Sequence, residues 1–361
     1  MVRIVVEDDA ILRIVPVILD SRISTEHRHA VADFFAHDEP DFAGWCDGLR
    51  QRIPGLYPAE IVFATDQADL RAKLAEADGV IVETLKIGDV ELAAAPRLKV
   101  VQKFGAIAAN IDAAACARRG VPVETLRRRV NIAVAEQAIA LMIGLAKRLC
   151  ELNGVVEEAA LRQAGFDPTP FDRRYTGNSN FARIRGLRTL HGGALGLIGM
   201  GEIGREVARM AAGFQMTIRY YQRTPLPAAE EAAFGARYAL LSDLLEQSDY
   251  VSIQLPMTAA TRGIIGATEL QRLKPGAIVV NAARAELIDR QALLAALDAG
   301  RLGGFGLDVG YEEPARPGER LLGYKNVLYM PHTAVAARQN GLADMEELCV
   351  KLWRHVAALR S

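Results

Sequence analysis

Short apolar runs punctuated by glycine and proline alternate along this chain with stretches whose apolar residues recur at helical spacing. In the first 125 residues, Arg13–Leu19, Glu60–Ala64, Gly79–Val82 and Leu98–Gln102 read as strands. Thr25–Phe35 and Gln67–Glu76 read as helices, with Ser24 a suitable N-cap for the first. This alternation predicts a small parallel α/β unit. From Asn131 to Leu152 the pattern becomes one long helix rich in Ala and Leu, without internal proline. Its wide apolar surface suits burial between domains or subunits. Residues 154–190, with Gly165, Pro168, Pro170, Gly177 and repeated arginines, read as an extended arm for a surface or a partner subunit.

Beyond residue 190 the rhythm is regular. Ala194–Ile198 predicts a buried strand, followed by a helix to about Ala212 and a second strand over Thr217–Tyr221. Tyr250–Leu255, Ala277–Asn281, Gly304–Val309 and Val327–Met330 predict further strands, and Asp289 caps a helix that stops at Gly300. Strands and helices at this spacing make a doubly wound parallel sheet, whose ligands lie beyond the carboxyl ends of the strands. Pro256, Arg284, Asp308 and His332 all fall at those ends, so one crevice is expected to collect them.

The turn between the first two strands of this half is Gly199-Met200-Gly201-Glu202-Ile203-Gly204. With strand, helix and second strand all in place, each glycine has a mechanical part. Gly199 permits the tight turn, Gly201 lets a pyrophosphate approach the backbone, and Gly204 lets helix and strand pack closely. The helix N-terminus then favours the phosphate charge. A dinucleotide is the expected ligand.

The 361 residues suit two domains, each able to bury its own core. Half the residues are hydrophobic and 24% charged, as in soluble globular proteins. A formal net charge of −1 gives no general attraction to nucleic acid or anionic membrane. Cys46, Cys116, Cys150 and Cys349 lack metal or redox spacing and read as reduced thiols of a cytoplasmic protein. His27, His29 and His37 lack the partners a metal site needs, so no metal is expected. The amino terminus does not read as a signal peptide, and the apolar run Ala138–Ala146 is too short to span a bilayer.

The segments LGLIGMGEIGREVARMAAGF, LPMTAATRGIIG, LKPGAIVVNAARAELID, GRLGGFGLDVGYEEP and MPHTA resemble the D-isomer-specific 2-hydroxyacid dehydrogenase family, which includes phosphoglycerate, D-lactate and glyoxylate/hydroxypyruvate enzymes. RLKVVQKFGAIAANID and NIAVAEQ match more loosely, and together the segments run in family order from residue 98 to 335. The resemblance implies an α/β fold of two Rossmann-like domains, the cofactor domain inserted in the substrate domain. Residues 1–125 would build the substrate domain, 126–334 the NAD(P)-binding domain, and 335–361 would return to the first. It also implies a homodimer acting on a small 2-oxo or D-2-hydroxy acid.

The family's catalytic trio carries over to Arg284, Glu313 and His332. Reducing a 2-oxo acid needs a proton donor at the carbonyl oxygen; an imidazole suits that, and a neighbouring carboxylate would hold the ring in its charged form. An arginine fork can bind the carboxylate and polarise the carbonyl. The implied cofactor set is Gly199, Gly201, Glu202, Ile203, Gly204, Gln222, Arg223, Thr224, Leu255, Pro256, Thr261, Ala282, Ala283, Arg284, Asp308, His332 and Ala334. The implied substrate set is Thr84, Gly105, Ala106 and Ile107, together with Arg284 and His332.

Several positions depart from the family pattern. Ile107 stands where glycine is usual, which restricts the backbone and reshapes the carboxylate loop. Glu83-Thr84 replaces the Arg-Ser of phosphoglycerate-type members, and an acid there disfavours a phosphorylated substrate. Gln137 replaces a common histidine and Ala285 a glycine, neither removing a catalytic group. Gln222-Arg223-Thr224 ends the second strand without the acid that binds a ribose 2′-hydroxyl, so NADP is favoured over NAD. Glyoxylate and hydroxypyruvate lead as substrates. A dinucleotide-sensing, corepressor-like interaction protein with slow turnover is the alternative; a formate-type dehydrogenase is disfavoured.

Overall fold

The computed structural model describes residues 1–357. The chain divides into two compact units: Met1–Asn131 with the residues from Val335 on, and Ile132–Ala334.

The first unit is built on a parallel sheet of β1 (Val2–Glu7), β2 (Ala59–Ala64), β3 (Gly79–Val82), β4 (Val100–Lys103) and β5 (Val123–Glu124), in the order β2-β1-β3-β4-β5. Side chains alternate across it: Val2, Ile4, Val6, Ile81 and Val100 enter one core, Val5, Val80, Val82 and Val101 the other. Burial on both faces explains why these strands read as continuous apolar runs. The Arg338–Val356 helix supplies Leu342, Met345, Leu348, Cys349, Leu352 and Val356 to the first of those cores. Arg13–Leu19 is not a strand, contrary to its sequence pattern. Leu12–Ile14 forms a 3₁₀ turn and Val15–Leu19 an α-helix, with Pro16 in its first turn where a missing N–H costs nothing. All of Val15–Leu19 is buried, so no polar face marked the helical period. The expected Leu98–Gln102 strand shifts to Val100–Lys103, whereas the Thr25–Phe35 helix forms with Ser24 Oγ accepting from the His27 N–H at 3.2 Å.

The second unit carries seven parallel strands: β6 (Ala194–Ile198), β7 (Thr217–Tyr221), β8 (Ala236–Tyr238), β9 (Tyr250–Ile253), β10 (Ala277–Asn281), β11 (Leu302–Leu307) and β12 (Val327–Tyr329). Their order is β12-β11-β10-β9-β6-β7-β8. The chain winds outward from β6 to β8, then crosses to β9 and winds the other way, so the switch point lies between β6 and β9. β9 and β11 each end two residues before the expected Leu255 and Val309, and three-residue β8 is too short to show a period. The long helix is Arg129–Ala146, not Asn131–Leu152. It ends before Arg148, whose backbone is left-handed (φ 53°), and Leu149–Leu152 is a separate turn.

By length and composition this 18-residue helix could cross a membrane, and Ala138–Ala146 is only its second half. It is instead a core helix, 61% buried. Leu141 and Leu145 pack where Gly306 and Gly304 of β11 offer no side chain, and a Cβ on either glycine would press into them. Residues 154–190 hold one short helix, Glu158–Gln163, in otherwise irregular chain. Leu149, Val156, Tyr175, Phe181 and Leu187 are exposed in and around this arm.

Candidate active site

The glycine turn joins β6 to the Glu202–Gly213 helix at the switch point. Gly199 has φ 104°, and a Cβ there would strike the Gln254 carbonyl; a Cβ on Gly204 would strike the carbonyl of Gly199. These two glycines close the turn onto the sheet. At Gly201 a Cβ would meet nothing within 4 Å, so the helix N-cap opens onto free space. Closed turn and open cap together fit a pyrophosphate approaching the backbone. Glu202 and Ile203 begin the helix, and Gln222, Arg223 and Thr224 follow β7. Gln222 Nε2 donates to the Thr224 carbonyl at 2.6 Å, while Arg223 is exposed and forms no ion pair among the described residues. Beyond β9, Leu255 is half-buried and the Pro256 carbonyl accepts from Thr261 Oγ1 at 2.7 Å.

Polar groups expected from the sequence follow the next three strands. After β10, Asn281 organises the turn: its Oδ1 accepts from the Ala283 N–H at 3.0 Å and its Nδ2 donates to the Arg284 carbonyl at 2.8 Å. Ala282 is buried and Arg284 exposed, the latter donating from an Nη to the Ala283 carbonyl. After β11, the Gly310 N–H donates to Glu313 Oε1 at 2.9 Å, and Glu313 Oε2 lies 2.9 Å from His332 Nδ1. Burial works to raise the Glu313 carboxyl. The hydrogen bonds from Gly310 and His332, with the charges of His332 and Arg284, hold it below its ordinary value instead. An ionised carboxylate only accepts, so Nδ1 carries a hydrogen toward it and Nε2 is the ring atom left for proton transfer.

His332 itself has a left-handed backbone, φ 55°, which a residue with a Cβ rarely adopts. Asp308 holds it there. Its main-chain carbonyl accepts from the His332 N–H at 2.9 Å, and its carboxylate accepts from Thr333 and Ala334 at 3.1 and 3.2 Å. Gln137 of the long helix donates to the same carboxylate at 3.3 Å. Burial pushes the Asp308 carboxyl up, against those backbone hydrogen bonds and the His332 charge, with Glu313 adding to the rise. In the sequence Gln137 stands out only as a substitution, and Asn281 carries a weaker signal still. Its signal was a lone amide closing an otherwise apolar strand, IVVN.

The remaining expected residues belong to the first unit. Thr84 follows β3, and Gly105, Ala106 and Ile107 follow β4. Gly105 is buried and its carbonyl accepts from the Leu126 N–H at 2.8 Å. Ile107 is not among the residues with left-handed backbone, so a β-branched side chain is carried there without strain. Thr84 is committed to Glu7: its hydroxyl and its N–H both donate to that carboxylate, which also accepts from the N–H groups of Glu83 (2.7 Å) and Leu85 (3.0 Å). Glu7 was missed because β1 itself was not read.

Residues 139–334 match the family described as "D-isomer specific 2-hydroxyacid dehydrogenase, NAD binding domain". The chain is 34% identical over 281 residues to a glyoxylate reductase of Thermococcus litoralis, covering 76% of this chain and 80% of that protein. It is 34% identical over 276 residues to glyoxylate/hydroxypyruvate reductase B of Yersinia pestis, covering 76% and 79%. A solved glyoxylate reductase from Paecilomyes thermophila superposes with a TM-score of 0.54 at 25% identity, over 99% of this chain and 96% of that one.

Proposed function

The chain belongs to the D-isomer specific 2-hydroxyacid dehydrogenase family, and on that premise we propose that it reduces glyoxylate or hydroxypyruvate to the D-2-hydroxy acid. It is a nicotinamide-dependent oxidoreductase, and the relatives described above, all reductases, lend nothing to a coenzyme-sensing alternative. The observation that carries the substrate reading is the His332–Glu313 pair with the Arg284 charge acting on it, in the unit that holds the open glycine turn.

The open turn would hold the pyrophosphate of a nicotinamide coenzyme, which when bound would supply the hydride. His332 Nε2 releases its proton to the carbonyl oxygen as the C=O π pair moves there, which leaves a 2-hydroxy acid and a neutral ring. Glu313 fixes the ring through Nδ1 and so aims Nε2. Arg284 binds the substrate carboxylate and polarises the carbonyl; for Thr84, Gly105, Ala106 and Ile107 a substrate-binding role is what the family resemblance implies. In this reading the unit built from both chain ends is the substrate domain and the middle unit the cofactor domain. Free thiols, three of the four buried, accord with a cytoplasmic location. The exposed apolar residues of the 149–187 region support a homodimer.

For the coenzyme, NADP is favoured. Arg223 is exposed and uncommitted to any described ion pair, and no acid closes β7 to repel a 2′-phosphate. The test is steady-state turnover of a panel of 2-oxo acids with NADPH and NADH. Glyoxylate or hydroxypyruvate should be reduced with the lower KM for NADPH, and Arg223→Ala should raise only that constant. Tight coenzyme binding without turnover of any 2-oxo acid would remove the reading; equal effects of Arg223→Ala on both coenzymes would remove the NADP preference alone.

A further inference from the structure

Glu83, at the carboxyl end of β3, is not a solvated surface acid. Its side chain is 32% exposed and accepts from an Arg128 Nη at 3.2 Å, and Asp9, just past β1, lies near enough for its charge to act on it. Lys103, the last residue of β4, donates its Nζ to the Glu83 carbonyl, and Asn110 Nδ2 approaches the same oxygen at 3.4 Å. Glu7 holds the Glu83 and Thr84 main chain from below, its charge spent on three N–H groups and the Thr84 hydroxyl. The charged groups facing Glu83 are therefore Glu7 and Asp9 from the β1 segment, Lys103 from β4 and Arg128 from beyond β5.

Two features make this group a switch rather than a fixed ion pair. The Glu83–Arg128 pair needs the ionised carboxylate, whereas the neighbouring Asp9 charge favours the neutral form of Glu83, so the two neighbours draw on opposite charge states. Burial first, then the Asp9 charge, push the Glu83 carboxyl up to about 7, against Arg128 and Lys103. Arg128, for its part, is held in place. Its side chain is only 14% exposed, its guanidinium lies 4.0 Å from the Phe104 ring centre, and its buried Nε makes no hydrogen bond. Phe104 leads directly into Gly105-Ala106-Ile107, so this cation stands beside the loop assigned to the substrate carboxylate.

Resting on the dehydrogenase reading, we propose that Glu83 is a specificity-determining residue: ionised, it occupies Arg128 and turns away a second anionic group on the 2-oxo acid; protonated, it leaves the guanidinium to attract one. The substrate class at and above neutrality is then a monocarboxylic 2-oxo acid with an uncharged substituent, and dicarboxylic acids are excluded by charge rather than by size. As pH falls through 7 the exclusion weakens, because the proton that Glu83 gains is the one that releases Arg128.

The test compares kcat/KM for oxaloacetate and for glyoxylate between pH 6 and 8.5 in wild type, Glu83→Gln and Glu83→Asp. The oxaloacetate-to-glyoxylate ratio should fall with rising pH in wild type. Glu83→Gln should raise it about tenfold at pH 8, with a smaller gain at pH 6, the scale of one unfavourable charge pair removed. Glu83→Asp should keep the wild-type ratio and its trend. A wild-type ratio that stays flat, or a folded Gln variant with unchanged ratio at pH 8, would overturn the inference while glyoxylate turnover leaves the dehydrogenase reading standing. If the Gln variant fails to fold, the wild-type and Asp trends decide. Absence of all 2-oxo acid turnover in wild type would fail the parent reading and this inference with it.

Discussion

Asp308 and His332 show how strain and chemistry share one loop. The left-handed φ of 55° at His332 costs on the order of 1–2 kcal/mol for a residue with a Cβ. Asp308 offsets it with three backbone hydrogen bonds on consecutive N–H groups. The ring is thus aimed by its main chain and by Glu313 together. His332→Gln should lower turnover roughly 10²–10⁴-fold, the usual contribution of a positioned proton donor, with coenzyme affinity retained. Glu313→Gln should cost less, because it removes only the orienting carboxylate. Single-turnover rates and coenzyme titration by fluorescence check both; a His332→Gln enzyme with near-normal turnover would end its role as the acid. These residues were legible in sequence because each sits in a short local pattern, as in Pro331-His332 and Glu313-Pro314. Glu7, Asp9, Lys103 and Arg128 were not. Their meaning arises from pairings such as Glu7 with the Glu83 N–H, 76 residues apart, which no local pattern announces.

Elements were legible where a face or a cap marked them. Ser24 and Asp289 cap helices that begin where they were expected, whereas fully buried Val15–Leu19 had no polar side to betray its period. The Arg129–Ala146 helix reads as nearly uniform apolar sequence for a related reason. One side meets β11, and the glycines there set how close it comes. A Cβ at Gly304 would lie 2.9 Å from Leu145 Cδ2 and 3.1 Å from Leu145 Cβ. Gly304→Val should therefore push helix and strand apart and destabilise the protein by about 1–3 kcal/mol, the cost of overpacking a filled core. Gly323→Ala, where a Cβ meets nothing within 4 Å, is the matched control. Denaturant melts would separate the two; equal midpoints would show that the contact is soft.

For the whole molecule, the exposed Val156 (71%) and Tyr175 (81%) are more apolar surface than one arm normally leaves in water. Light scattering at micromolar concentration should give twice the 39.2 kDa chain mass, and a monomer would overturn the proposed homodimer. The division of the chain into an outer and an inserted unit bears on something else: the order in which a ribosome delivers it. Residues 1–131 precede the inserted unit, yet the side chains that complete their core, Leu342 to Val356, follow it. The inserted unit has all its strands in hand once Tyr329 has emerged. During synthesis Ile4, Ile81 and Val100 therefore stay unsealed until the inserted unit has been made, and over that interval their apolar surface is open to misassembly.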